Sequence, residues 1–362
     1  MKCLVCGTLL LGLVGCSSDS GSGAGTGGAG NTGGTTSTCG SLTPTRLYSS
    51  EGKLVRGVAA DASSLYFLEG LDQIKKMPKA GGAATTIATA PGTVLDVTVR
   101  LYVDGAKLYY SDNSDLFSVD TSGGTPKSLA TSASKKAIGI DPTIAFDEDF
   151  IYFGDKVYGP AGEALGTVNK LPKTGGMPTV LASGQAGPGS IAFDETNLYW
   201  INEGTYTDEL EPLLNAGLGS VPKTGGNARA LFTQTKKDGI SPAIGDLLVG
   251  TSELFFASIN LDSIVNTGEY RIAKTGGTPL EFSSCPSFGA FLRDGQLYAD
   301  CGDRISKFDL ETGSETELVC LPEPLEGSIL MTNDSNTIYY VKAEPDNAAG
   351  DTPYSLYSIP IQ

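Results

Sequence analysis

From Leu42 onward, apolar and polar positions alternate in short bursts, and the bursts return in a fixed order. The clearest marker is an apolar residue followed by an aromatic one. It occurs at Leu65-Tyr66, Leu108-Tyr109, Ile151-Tyr152, Leu198-Tyr199, Leu254-Phe255, Leu297-Tyr298 and Ile338-Tyr339, with spacings of 43, 43, 47, 56, 43 and 41 residues. A glycine turn follows most markers, as in Lys79-Ala-Gly-Gly82, Lys173-Thr-Gly-Gly176, Lys223-Thr-Gly-Gly226 and Lys274-Thr-Gly-Gly277. Each unit reads as four strands, a to d. In the fourth unit these are Ile191–Phe193, Leu198–Ile201, Gly219–Pro222 and Arg229–Phe232, with Asp194 opening the a–b turn. Aromatic and β-branched runs between glycine turns favour strands. Four short strands at a period of about 45 residues predict an all-β fold, a β-propeller.

The chain ends set the number of blades. There are seven b strands but only six d strands, and the seventh unit stops at Ile359-Pro360, which aligns with c-strand ends such as Leu171-Pro172. The missing outer strand lies at the other end of the repeats, at Arg46-Leu47-Tyr48, before the first a strand at Val55. A seven-bladed ring closed by this N-terminal strand is therefore expected, and closure removes an unpaired sheet edge. Six blades is the alternative, with the irregular fifth unit as an insertion.

Residues ahead of the repeats predict export. Met1-Lys2 precedes a short apolar run from Leu4 to Val14, too short to span a bilayer and shaped like a signal peptide. It ends Leu13-Val14-Gly15-Cys16, which resembles the bacterial lipobox; the resemblance implies removal of residues 1–15 and acylation of Cys16. Ser17 after the cysteine, by the same resemblance, favours the outer membrane of the cell envelope. From Ser17 to Thr38 nearly every residue is Gly, Ser, Thr, Ala or Asn, a composition that buries no core and predicts a disordered tether. The expected organisation is signal peptide 1–15, acylated Cys16 and tether 16–40, and propeller 41–362.

The Leu198-Tyr199-Trp200 run, and its Leu-Tyr-aromatic counterparts, resemble the YWTD repeat of lipoprotein-receptor ectodomains and are similar to TolB-like bacterial propellers. The Lys-Thr-Gly-Gly turns resemble those of exported bacterial propeller lipoproteins. The likeness covers about residues 42–362 and implies the fold. YWTD propellers have six blades, and no functional residue transfers by motif.

Composition narrows the chemistry. The chain has 362 residues and no histidine, which excludes Ser-His-Asp and Cys-His nucleophile systems and imidazole-bound metals. With 25 Lys+Arg against 41 Asp+Glu the formal net charge is −16, which argues against nucleic acid as a partner. Binding is expected on the face carrying the b–c and d–a loops, which are irregular in length, whereas the a–b and c–d turns are tight. Expected large loops are Asp155–Gly166 in blade 3, 202–217 in blade 4, Asn260–Gly268 in blade 5 and Lys342–Pro353 in blade 7. The blade 4 loop gathers Glu203, Asp208, Glu209 and Glu211 around Tyr206. It reads as a solvated acidic loop, with a Ca²⁺ site or a carboxylate pair for glycan chemistry as functional readings.

Recurring turn aspartates Asp61, Asp104, Asp147, Asp194 and Asp334 read as Asx-turn formers, with a cation-holding ring as the functional reading. The aromatic stripe, Trp200 included, reads as core. Lys173, Lys223 and Lys274 are expected in solvated turns. Among the cysteines, Cys285–Cys301 is the preferred bridge and Cys39–Cys320 the second, with no metal site. The function expected is a non-catalytic binding scaffold. It is tethered to the envelope membrane by lipid and takes an envelope protein or glycan, with no cofactor. The alternative is a carboxylate-based envelope glycan hydrolase or lyase, Ca²⁺-dependent in one form.

Overall fold

The structure, a computed structural model, describes residues 40 and 42–361 apart from 92–98, 113, 134–138, 142, 158, 160–163, 206–214, 235–240, 243–245, 261–264, 286, 288, 322–330, 348–349 and 351. Seven antiparallel sheets follow one another around a ring. Blade 1 is Val55–Ala60, Ser64–Glu69, Gln73–Pro78 and Thr85–Thr89. Blade 4 is Pro188–Phe193, Asn197–Asn202, Gly217–Pro222 and Arg229–Thr233, a match to the strands read from sequence. Blade 7 takes Met331–Asn333, Thr337–Ala343 and Tyr354–Pro360 from the C-terminal end and Thr45–Ser49 from the N-terminal end. Thr45 pairs with Ser358 and Ser49 with Ser355, so the ring closes as expected.

The fifth unit is a blade, not an insertion. Its inner strand is split into Ser241–Pro242 and Leu248–Val249, both paired to Glu253–Asn260. Asp246 lies between the two halves, where an apolar inner strand would otherwise run. The blade 5 loop differs from expectation. Strands Glu253–Asn260 and Val265–Ala273 absorb most of it, leaving a four-residue connection.

Strand alternation builds the core. Both faces of each b strand are covered, so successive side chains serve opposite neighbours. Leu198 and Trp200 pack toward blade 3, with Tyr152, Val168 and Ile191. Tyr199 and Ile201 pack toward blade 5, with Leu254, Phe256 and Ile272. Likewise Tyr66 and Leu68 face blade 2, while Leu65 and Phe67 face blade 7. The wedge between blades leaves little room: a Cβ on Gly219 would lie 2.3 Å from the Trp200 ring.

Cys285 and Cys301 form the preferred disulfide, with Cα atoms 4.9 Å apart, inside the cluster between blades 5 and 6. Cys320 is also disulfide-bonded, and Cys39, the partner expected for it, lies outside the described residues. Just after that position the chain runs along the outer strand of blade 6. The Leu42 amide donates to the Leu318 carbonyl, and a Cβ on Gly40 would collide with the Leu318 backbone.

Candidate functional site

The two ends of the ring differ in build. On one, the a–b turns between strands contain two or three residues in every blade. On the other, the b–c loops contain three residues in blades 1, 2 and 6, four in blade 5, ten in blades 3 and 7, and fourteen in blade 4. Loop length thus varies on the face where binding was expected.

Beneath those loops runs a chain of charged side chains around the central channel. Lys156, which follows strand b of blade 3, lies 2.6 Å from Asp141 and 2.7 Å from Glu203 of blade 4, and all three are buried. Two backbone features permit this. Gly189 has no Cβ, and one there would sit 2.7 Å from Asp141 and 2.9 Å from Glu203. Ser190 adopts φ of +37°, uncommon for a residue with a side chain, and its hydroxyl accepts the Leu247 amide of blade 5 at 2.9 Å. Burial opposes the charge on Lys156, but the two carboxylates outweigh it and raise its pKa.

Arg100 of blade 2 reaches across the ring to Asp246 of blade 5, which also accepts the Ala290 amide of blade 6 at 3.0 Å. For Arg100 too, burial is overcome by Asp246, and its pKa rises. Tyr102 beside it is pushed up by burial, and its hydroxyl accepts the Ile144 amide of blade 3. Glu269 ends the series. Burial pushes its carboxyl up to about 8; a hydrogen bond with Ser287 opposes the shift and the Asp246 charge adds to it. Glu203, Asp141, Lys156, Arg100 and Asp246 thus carry opposite charges in contact, and blades 2 to 6 are tied together through their inner edges.

Of the candidate loop residues, Glu203 is part of this buried network. Tyr206, Asp208, Glu209 and Glu211 lie outside the described residues, as does Cys16. Among the described residues, no group of three or more Cys, Asp and Glu side chains gathers where it would hold a metal ion. Sequence reasoning missed Arg100, Asp141, Lys156, Asp246 and Glu269. The available signal was a lone charge in an apolar run, plainest for Arg100 within Val97–Val103.

At the opposite end four of the five turn aspartates, Asp61, Asp147, Asp194 and Asp334, form Asx turns, whereas Asp104 is held by Lys173. Asp194 Oδ1 accepts the amides of Thr196 and Asn197, both at 2.9 Å, and Asp61 Oδ1 accepts those of Ser63 and Ser64 at 2.7 Å. The second oxygen accepts the strand b tyrosine five residues on: Tyr66, Tyr152, Tyr199 and Tyr339 for Asp61, Asp147, Asp194 and Asp334. The lysines depart from expectation. They are only partly solvated, and each pairs with the aspartate of the preceding blade. Lys223 reaches Asp147 at 2.6 Å, Lys274 reaches Asp194 at 2.9 Å, Lys79 reaches Asp334 at 2.7 Å and Lys173 reaches Asp104. Burial acts to raise the Asp147 carboxyl, yet Lys223, Tyr152 and two backbone amides hold it down at about 2. An open cavity of about 750 Å³ lies at this end, walled by the a–b turns of blades 7, 1 and 2.

No family model matches the chain. No curated protein matches it in sequence. Solved structures do match in shape. An oligogalacturonate lyase in complex with manganese aligns with a TM-score of 0.60 at 15% identity, covering 89% of this chain and 96% of that one. An oligogalacturonate lyase from Vibrio parahaemolyticus aligns at 0.61 and 13% identity, covering 89% and 94%. A domain described as the AfRom2 CNH domain aligns at 0.56 and 12% identity, covering 87% and 98%. At such identities the likeness establishes the architecture alone: the chain is a seven-bladed β-propeller.

Proposed function

We propose that this protein is a non-catalytic binding scaffold of the bacterial cell envelope, held to the outer membrane by a lipid on Cys16. Its ligand, an envelope protein or glycan, meets the face of the b–c and d–a loops. The observation that carries this reading is the state of the charges under those loops. Carboxylate catalysis needs one acid and one base free to meet substrate. Here Asp141 and Glu203 are held by Lys156, Asp246 is held by Arg100, and Glu269 is 1% exposed. The same residues brace a rigid ring from which loops of three to fourteen residues project. Rigid support with loop variation is the usual basis of a recognition surface.

Capture of envelope extracts on the full mature protein tests the reading. Loops 206–214 and 345–352 are replaced by glycine-serine linkers of equal length, leaving the charged network intact. Loss of the captured protein or glycan in the loop variants is expected. Capture unchanged by both replacements refutes the assignment to this face. The alternative, a Ca²⁺-dependent glycan hydrolase or lyase, predicts reducing ends or unsaturated uronate from a glycan panel when Ca²⁺ is supplied.

A further inference from the structure

Comparing the seven inter-blade contacts at the a–b end isolates one that is incomplete. Each contact joins the residue five before the strand b aromatic to the residue opening the next blade's c–d turn. In four contacts these are aspartate and lysine: Asp104 with Lys173, Asp147 with Lys223, Asp194 with Lys274 and Asp334 with Lys79. In blade 5 the aspartate is replaced by Gly250, and the next blade correspondingly carries Leu310, packed with Phe255. In blade 6 the position is Arg293, and blade 7 offers Ile361, packed near Tyr298. Aspartate and lysine are thus present together or absent together, with one exception.

The exception is Asp61. Its lysine position in blade 2 is Thr121. Neutral donors satisfy the carboxylate, namely the amides of Ser63 and Ser64 and the hydroxyls of Ser63 and Tyr66. No ion pair reaches it among the described residues. The nearby Lys76 is turned to the Thr121 carbonyl at 3.2 Å and lies over the Tyr66 ring.

Asp61 also lines the cavity of about 750 Å³, within the range of small-ligand sites. The other two charges in its lining, Lys79 and Asp334, cancel each other at 2.7 Å, so the cavity keeps one negative charge. Ala60, Ala62 and Val103 supply an apolar patch beside it. We propose that this mouth, on the face opposite the loops, binds a primary ammonium or guanidinium on a short apolar stem. The bound cation supplies the countercharge that lysine supplies at the other four aspartates, and the stem covers the alanine and valine side chains. The source is either a basic side chain of a polypeptide or a free diamine, with the same recognition chemistry.

Calorimetric titration of the full mature chain at low salt tests this. The probes are N-acetyl-lysine methylamide for the polypeptide source, agmatine for the free amine, and N-acetyl-norleucine methylamide as the uncharged control. Saturable binding of at least one cationic probe is expected, at least tenfold weaker for the uncharged one. Asp61→Asn, which keeps an acceptor for the turn amides, weakens binding at least tenfold. Thr121→Lys does the same by supplying the missing lysine, while its melting temperature does not fall, so that loss of binding is not loss of fold. Asp303→Asn, on the exposed pair with Arg304 in the b–c loop of blade 6 at the other end of the ring, leaves binding unchanged. Preference between the cationic probes identifies the source. Absence of binding by both at millimolar concentration, or equal binding by Asp61→Asn and Thr121→Lys, overturns the proposal.

Discussion

Replacing Lys223 with methionine tests whether the inter-blade ion pairs hold the ring or merely decorate it. Lys223 lies 2.6 Å from Asp147, and the two side chains are 19% and 22% exposed, so the pair is neither fully solvated nor dry. Exposed pairs contribute roughly 0.2–1 kcal/mol, and this one should fall at the upper end. The ammonium also lies 4.5 Å from the centre of the Phe193 ring, a contact worth about 0.5–1 kcal/mol. Methionine preserves the apolar stem, so Lys223→Met should cost about 1–2 kcal/mol. Asp147→Asn keeps an acceptor for the amides of Asp149 and Phe150 but loses the pair, at a cost of about 1 kcal/mol. The double variant should lose less than the sum, with a coupling of about 1 kcal/mol. Equilibrium urea unfolding can be followed by fluorescence of Trp200, the single tryptophan, which packs between the same two blades. The pH dependence has a defined sign. The Asp147 carboxyl is held at about 2 against an ordinary 3.8, so its contribution is complete above about pH 4 and disappears as pH falls toward 2. A coupling energy indistinguishable from zero, or an unchanged acid limb in Asp147→Asn, would refute this reasoning.

Three further outcomes follow from the same geometry. Between its ordinary 4.5 and its raised value of about 8, Glu269 binds a proton in the folded state but not in the unfolded one. Stability should therefore fall with rising pH by about 1.4 kcal/mol per unit from this group, and Glu269→Gln should flatten that slope in urea titrations between pH 5 and 8. Gly219→Ala forces a methyl against the buried Trp200 ring and should cost about 1–3 kcal/mol, read as an earlier urea midpoint and altered Trp fluorescence. Replacing both Cys285 and Cys301 by serine opens a loop with a sequence separation of 16 and should cost about 3 kcal/mol in thermal unfolding under non-reducing conditions.

The fold was legible because its information is local. Strand b of each blade announces itself by an apolar-aromatic pair; a turn aspartate stands four residues before that pair in five blades, and a Gly-Gly turn follows strand c in blades 1 to 5. The strand Thr45–Ser49 was found by counting d strands, and Cys285–Cys301 by noticing that both ends lie at the same edge of blade 6. The inter-blade pairs were harder, since the two partners come from different repeats. Lys79 and Asp334 are 255 positions apart in sequence and meet only because the ring closes. The joint absence of aspartate and lysine at Gly250 and Leu310 was nevertheless written in the repeats.

The charges around the channel escaped for another reason. Arg100 and Asp246 share one repeat position, nine residues before the strand b aromatic, and Lys156 and Glu203 share another, four after it, but no other blade carries a charge at either, so the repeat gives no warning of them. Only the radial geometry of the ring brings Arg100 of blade 2 to Asp246 of blade 5. Glu203 shows the converse. Its place at the start of an acidic loop suggested a solvated residue, but a neighbouring glycine and a buried lysine draw it inward.

Whether these inner charges serve structure or catalysis can be decided by one paired measurement. The full mature protein is incubated with a panel of envelope glycans, with and without Ca²⁺, and bound ligand and reaction product are measured together. A binding scaffold predicts retained ligand with no new reducing ends or unsaturated uronate. It also predicts that Glu203→Gln lowers the unfolding midpoint. Turnover that Glu203→Gln or Asp246→Asn abolishes without changing stability would contradict the account.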